Sequence, residues 1–98
     1  MFRRPTHDLT QFQTAMAQNL LTTRVAADSA QALGFSVVGV KAVLDSMRPT
    51  MFYKTMLSDK RPGQWQDVYH VPSTVGVLYV KFTNEGVKEF KLLSFKKK

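Results

Sequence analysis

Residues 65–96 read WQDVYHVPSTVGVLYVKFTNEGVKEFKLLSFK, and the pattern of this stretch predicts strands. It is dense in β-branched and aromatic residues, and two groups of turn-forming residues, 72–74 and 84–86, divide it into three parts. We therefore predict strands at 65–71, 75–83 and 87–96, with Gly86 supplying a positive φ at the second turn. Three consecutive strands joined by short turns form an antiparallel meander.

The half of the chain before this stretch predicts helices. Asp8 and Gln11 have the spacing of a capping box, and apolar residues then recur at three- and four-residue steps. Thr23 precedes an alanine-rich second helix that Gly34 closes, and Ser36 precedes a third. This order of elements predicts that the helices come first and the strands follow.

Two short segments complete the prediction. Thr50 can begin a fourth helical turn that includes residues 51–54, and residues 20–22 can hold an edge strand. Helices followed by a meander predict an α+β fold with two layers, in which the N-terminal helices pack on an antiparallel β-sheet. At 98 residues we expect a single domain spanning 1–98, whose uncovered sheet face is free to bind a partner.

The composition excludes several classes of site. Cysteine is absent and there are two histidines, so a disulfide scaffold, a cysteine-ligated zinc site and a thiol nucleophile are excluded. We expect no metal site and no cofactor. The net charge of +7 favours a polyanionic partner, such as nucleic acid, an anionic membrane or an acidic protein. The sequence contains neither a membrane-spanning apolar run nor a secretory signal, so we expect a cytoplasmic protein that makes no membrane contact.

Alternation within the strands predicts which side chains share a face. Tyr79 and Lys81 point away from the apolar set Leu78, Val80 and Phe82, which we assign to the core. The third strand alternates ambiguously, so the pattern does not assign Lys96 to a face. Basic and aromatic side chains together on a sheet are typical of single-stranded RNA binding. The commoner interpretation of each is a solvated lysine or a core-edge aromatic. The RNA-binding candidates are Lys81, His70, Trp65 and Lys97.

Four strings resemble the MqsR family, the motility quorum-sensing regulators, which are ribonuclease toxins of bacterial toxin–antitoxin pairs. The strings are FYK at 52–54, WQDVY at 65–69, VGVLYVK at 75–81 and SFKKK at 94–98. The resemblance implies a RelE-like fold. It also implies a ribosome-independent mRNA endonuclease that cuts at GC-containing, GCU-like triplets. A metal-independent reaction in which the 2′-hydroxyl is the nucleophile is compatible with the composition.

The resemblance also implies the catalytic residues. The family's functional positions fall on Lys54, Gln66, Tyr79 and Lys96. We assign Tyr79 to proton transfer, the two lysines to phosphate and transition-state charge, and Gln66 to positioning. The chain carries His70 where the relatives have a basic residue after WQDVY.

The partners follow from the same resemblance. The family implies an mRNA substrate and a cognate zinc-containing, helix-turn-helix antitoxin of the MqsA type. The chain itself has no recognition-helix signature, so we expect no independent specific DNA binding. Two alternatives remain from the composition: a non-catalytic RNA-binding module, and a structural protein whose basic sheet docks an acidic partner. Residues 5–7 read Pro-Thr-His where the family has Thr-Pro-His, which leaves the role of His7 open.

Overall fold

The computed structural model describes residues 4–86 and 89–98. It confirms the α+β fold: three helices precede a four-stranded antiparallel sheet with strand order β1-β2-β3-β4. The elements are α1 (Leu9–Gln18), α2 (Arg24–Ala32), α3 (Val37–Asp45), a 3₁₀ turn (Pro49–Met51), β1 (Phe52–Leu57), β2 (Trp65–Ser73), β3 (Gly76–Asn84) and β4 (Phe90–Lys97).

The helices begin where the sequence predicts. The side chains of Asp8, Thr23 and Ser36 each accept the backbone amide of the residue three positions later, at 2.9, 3.1 and 3.1 Å. Each bond satisfies one of the amides that a helix N-terminus leaves unpaired. Gly34 follows α2 with φ +90°, a conformation that glycine adopts without strain.

The predicted helical turn at 51–54 is wrong in its extent. A 3₁₀ turn ends at Met51, and residues 52–54 begin β1, which pairs with β2 and is absent from the predicted meander. Pairing with β2 satisfies the backbone of this segment, so the tertiary context overrides the local pattern.

Residues 20–22 form a bridge rather than a strand. Thr22 makes an isolated parallel bridge to Leu92. The Thr23 amide donates to the Leu92 carbonyl at 3.0 Å, and the Leu92 amide donates to the Leu21 carbonyl at 2.9 Å. This segment therefore covers part of the outer edge of β4.

The two hairpin turns differ from the prediction. Strand β2 continues to Ser73, and the positive φ lies at Gly76, at +108°, whereas the expectation of a positive φ at Gly86 is wrong. The side chain of Asn84 accepts the amides of Gly86 and Glu89 at 3.3 and 3.0 Å, which closes the second turn by another route. Residues 87 and 88, the predicted start of the third strand, lie outside the described residues.

The core lies between the helices and one face of the sheet, which we call the covered face. Leu78, Val80 and Phe82 are fully buried there, as predicted. The ring of Phe12 from α1 stacks on Phe82 with centroids 3.7 Å apart. The carboxylate of Asp67, 0% exposed, accepts the backbone amides of Thr6 and His7 at 3.0 and 2.7 Å, which fixes residues 6 and 7 on this side.

Candidate nucleic-acid interface and active site

The opposite side of the sheet, which we call the open face, carries the residues that the sequence singled out. Directly paired residues of neighbouring strands share a face, so the register defines its rows. Those rows, from β1 towards β4, are Met56-Gln66-Thr83-Lys91, Lys54-Val68-Lys81-Ser94 and His70-Tyr79-Lys96. The four proposed catalytic residues therefore lie on one face, contributed by all four strands.

A bulge in β1 brings Lys54 to the open face. Phe52 pairs with Tyr69 and Lys54 pairs with Val68, so Tyr53 is an extra residue in this strand. The bulge lets Phe52 turn to the covered face, where its ring meets Tyr69 at 5.6 Å, while Lys54 points the other way.

A second bulge, in β4, places Lys96 on the open face. Leu92 pairs with Phe82 and Ser94 pairs with Lys81, so Leu93 is the extra residue. Before the bulge Leu92 is buried on the covered face; after it Phe95 is buried there. Lys96 consequently pairs with Tyr79 on the open face. The bulge explains why the alternation in the sequence of this strand is ambiguous.

Three rings form a row across β1, β2 and β3. Tyr53 and His70 stack with centroids 4.1 Å apart and planes 22° apart, and His70 and Tyr79 are 6.2 Å apart. Lysine ammonium groups lie over the two tyrosines: Lys54 Nζ is 5.6 Å from the Tyr53 centroid, and Lys96 Nζ is 5.2 Å from that of Tyr79. This arrangement offers ring surfaces and cations within a few ångströms of each other.

The lysines of the open face repel one another. Burial lowers the pKa of Lys81, and Lys96 and Lys54 lower it further, against the opposite effect of Asp59. Burial also lowers the pKa of His70, followed by the charges of Lys98 and Lys54. Clustered cations that disfavour each other are stabilised when an anion binds, so the open face has the electrostatics of a phosphate-binding surface.

Two other residues of this face are held firmly. Gln66 is only 7% exposed, and its amide nitrogen donates to Gln64 Oε1 at 3.1 Å. Val68 is 0% exposed although it faces this side, so the side chains around it cover it. Its cross-strand neighbours are Lys54 and Lys81, whose aliphatic stems can lie on an apolar surface while their ammonium groups stay hydrated.

Comparison of the sequence with known proteins shows the family. The family model described as motility quorum-sensing regulator, toxin of MqsA, matches residues 4–97. The mRNA interferase toxin MqsR of Escherichia coli (strain K12) is 33% identical over 82 residues, which cover 84% of this chain and 82% of that protein. The chain belongs to the motility quorum-sensing regulator family. Membership confirms the resemblance found in the four strings.

The structure separates two of the predicted RNA-binding residues of this family member from the rest. Trp65 shares the face of Asp67 and Tyr69, is 39% exposed at the end of β2, and its carbonyl lies 2.9 Å from His7 Nε2. Lys97 pairs with Leu78 of the covered face. Lys81 and His70, by contrast, join the four proposed catalytic residues on the open face.

Tyr53 also lies on the open face, although the sequence did not single it out. The residue lies within the matched string FYK, but its interpretation as part of a helical turn hid its position in a strand. The bulge leaves its side chain 54% exposed and stacked on His70. Had residues 52–57 been predicted as a strand, the position of Tyr53 next to Lys54 would have indicated it.

Two features are absent from the described part of the chain. Within residues 4–86 and 89–98, no group of three or more His, Asp or Glu side chains is placed to hold a metal ion. No helix in those same ranges is long and apolar enough to span a bilayer.

Proposed function

We propose that this chain is the toxin of a type II toxin–antitoxin pair and acts as an endoribonuclease on mRNA. The observation that carries the proposal is the convergence of Lys54, Tyr79 and Lys96, from three different strands, on one cationic face. Family membership and the similarity to an mRNA interferase toxin support the same activity. Cleavage of mRNA in the bacterial cytoplasm inhibits translation and growth.

The open face suits single-stranded RNA. Lysine ammonium groups neutralise phosphates, and exposed ring surfaces stack unpaired bases without requiring a particular sequence. Tyr53 has the most exposed ring of the row. Lys54, Lys81 and Lys96 lie on the same face, on β1, β3 and β4. A duplex would present its bases only at the groove edges, so a single strand fits these rings better.

The chemistry we propose is attack of a 2′-hydroxyl on the adjacent phosphorus. The hydroxyl loses its proton, its oxygen forms a bond to phosphorus, and the bond to the 5′-oxygen breaks as that oxygen takes up a proton. The products are a 2′,3′-cyclic phosphate and a 5′-hydroxyl. Tyr79 transfers one of these protons, and Lys54 and Lys96 stabilise the negative charge of the phosphorane. The lysines supply this charge stabilisation themselves, so the reaction we propose needs no metal ion.

Gln66 has a positioning role in this scheme. Its amide lies on the face one row from Lys54 and Lys81 and is held by Gln64. A restrained amide can orient a sugar or a base by hydrogen bonds at little entropic cost. We assign to this region the preference for GC-containing, GCU-like triplets.

The partner we propose is a zinc-containing, helix-turn-helix antitoxin. The matching family model describes toxins of MqsA, and a surface of net charge +7 suits an acidic protein as well as RNA. Specific DNA binding by the pair is assigned to the antitoxin. The toxin activity is assigned to a single domain, 1–98.

The test is cleavage of a defined single-stranded RNA by the purified chain in EDTA, with the fragment ends mapped. We expect fragments that end in 2′,3′-cyclic phosphate. The matched control is the same RNA with a 2′-deoxynucleotide at the cleaved position, which removes the nucleophile and must stay intact at that site. RNA that binds yet remains whole would establish a non-catalytic RNA-binding module instead. Cutting of the deoxy control at the same bond would refute 2′-hydroxyl attack.

A further inference from the structure

His70 occupies the middle of the open face. It lies on β2 with Tyr53 of β1 stacked on one side, at 4.1 Å, and Tyr79 of β3 on the other, at 6.2 Å. Its cross-strand partner is Tyr79, which in turn pairs with Lys96. The imidazole therefore stands between the exposed ring and the residue to which we assign proton transfer.

The charged and titratable groups around His70 come from every neighbouring strand. Lys98 follows β4 with its amide bonded to the Val77 carbonyl at 2.9 Å, which keeps it beside β3. The carboxylate of Asp59, in the loop between β1 and β2, raises the pKa of Lys81, against the effect of the neighbouring lysines. The groups that face His70 are Tyr53 and Lys54 from β1, Tyr79 and Lys81 from β3, Lys96 from β4 and Lys98 after it.

We propose that His70 is a proton-dependent RNA-binding residue, which is neutral at pH 7.5 and on protonation adds one more cation to the phosphate-binding face. RNA affinity then rises as the pH falls. This inference rests on the proposed function, because it takes single-stranded RNA as the ligand of the open face.

The physical reason is a change in what surrounds the imidazole. In the free protein burial lowers the pKa of His70 below its usual 6.5, and Lys98 and Lys54 lower it further, so the ring is neutral at pH 7.5. Bound phosphates offset the lysine charges and favour the imidazolium. By linkage, RNA binding takes up a proton, and acid strengthens binding. The imidazolium also keeps its place between the rings, because a cation is attracted to the face of Tyr53.

The experiment measures the affinity of the full chain for a single-stranded RNA whose 2′-hydroxyls are methylated, so that cleavage does not interfere. Dissociation constants are measured at pH 5.5 and 7.5 over a range of salt. We expect binding about two- to five-fold tighter at pH 5.5 in about 0.1 M salt. We also expect the slope of log affinity against log salt to steepen by about 0.7, the value for one more phosphate contact on a single strand.

Two variants bracket the wild type. His70→Gln cannot be charged and is expected to bind with the shallower slope at both pH values. His70→Arg is always charged and planar, and is expected to bind with the steeper slope at both. His7→Gln is the matched control: it removes the other histidine, whose ring bonds to the Trp65 carbonyl, and must keep the pH dependence. If His70 had a merely structural role, the two substitutions would not replace the pH-dependent salt slope by a slope that is shallow in one variant, steep in the other and independent of pH in both.

The failures of the two proposals differ. Wild-type protein that binds the RNA with one salt slope at both pH values would overturn the role of His70 and leave the proposed function standing. A pH dependence that persists in His70→Gln would do the same. Absence of RNA binding at both pH values would overturn the proposed function, and this inference with it.

Discussion

The two faces of the sheet are built from the same strands and have opposite properties. On the covered face, Phe82 stacks on Phe12, and the buried carboxylate of Asp67 has two amide donors. On the open face, lysines stand close enough together that Lys96 and Lys54 lower the pKa of Lys81. Burial of apolar surface and satisfied hydrogen bonds stabilise the fold, whereas mutual repulsion of cations opposes it. The open face therefore carries a repulsion that a bound anion would relieve, and the covered face supplies the stability that offsets it.

The sharpest way to test this contrast is to remove one large side chain from each face of the same strand. Phe82→Ala leaves a cavity beneath the stacked rings and is expected to lower the free energy of unfolding by about 3–5 kcal/mol. Lys81→Ala, next to it on the open face, is expected to change it by less than about 1 kcal/mol, because the charge it removes is repelled by its neighbours. Urea unfolding of both variants measures the difference. Similar losses of unfolding free energy in the two variants would contradict the view that the covered face stabilises the fold and the open face does not.

The second test removes one oxygen atom from the open face. Tyr79→Phe keeps the ring under Lys96 and removes the hydroxyl. Cleavage is expected to fall by at least about 100-fold, while RNA affinity and the melting temperature stay nearly unchanged. Rates, dissociation constants and thermal scans are measured on the same preparation. Unchanged cleavage would end the role of Tyr79 in proton transfer.

The third test compares two lysines at the C-terminal end. Lys96 pairs with Tyr79, and Lys96→Ala is expected to lower both RNA affinity and cleavage rate about 10-fold, as loss of a charged hydrogen bond does. Lys98→Ala serves as the matched control and is expected to change mainly the salt dependence of binding. Equal effects of the two substitutions would mean that these lysines act only as diffuse charge.

The fourth test concerns the residue that the sequence did not single out. Tyr53→Leu keeps an apolar side chain of moderate size and removes the ring, and is expected to weaken RNA binding about five-fold or more. Leu57→Ala is the control, because Leu57 is also exposed on β1 but pairs with Trp65, away from the open face. Titration with single-stranded RNA distinguishes them. If both variants bind like the wild type, Tyr53 has no part in binding.

The last test concerns Tyr69 of the covered face, whose effect on stability is expected to be small and to be observed at alkaline pH. Burial, then Asp67 and Asp8, raise the pKa of Tyr69 to about 12, so the folded state favours the neutral phenol. The stability this contributes is complete below pH 10, the ordinary value, and is lost as the pH rises towards 12; at pH 11 the loss is about 1 kcal/mol. Urea unfolding between pH 9 and 11 is compared for wild type and Tyr69→Phe. A fall of the same size in the variant would exclude Tyr69 as its source.

Much of the fold and of the candidate site follows from the sequence through local rules. Side chains that cap helices act within three residues, so Asp8, Thr23 and Ser36 are predictable. In β2 and β3 the two-residue alternation is regular, so the sequence separates Tyr79 and Lys81 from the core residues of β3. The four matched strings supply the family and, with it, the four proposed catalytic residues.

The outer strands, by contrast, depend on contacts that no local pattern specifies. Strand β1 exists because β2 pairs with it, and the bulges at Tyr53 and Leu93 are defined by the partner strand that each extra residue faces. Those bulges turn Lys54 and Lys96 to the open face, while the register leaves Trp65 and Lys97 off it. Alternation is a property of one strand and can be recognised locally, whereas register depends on contacts between residues far apart in sequence.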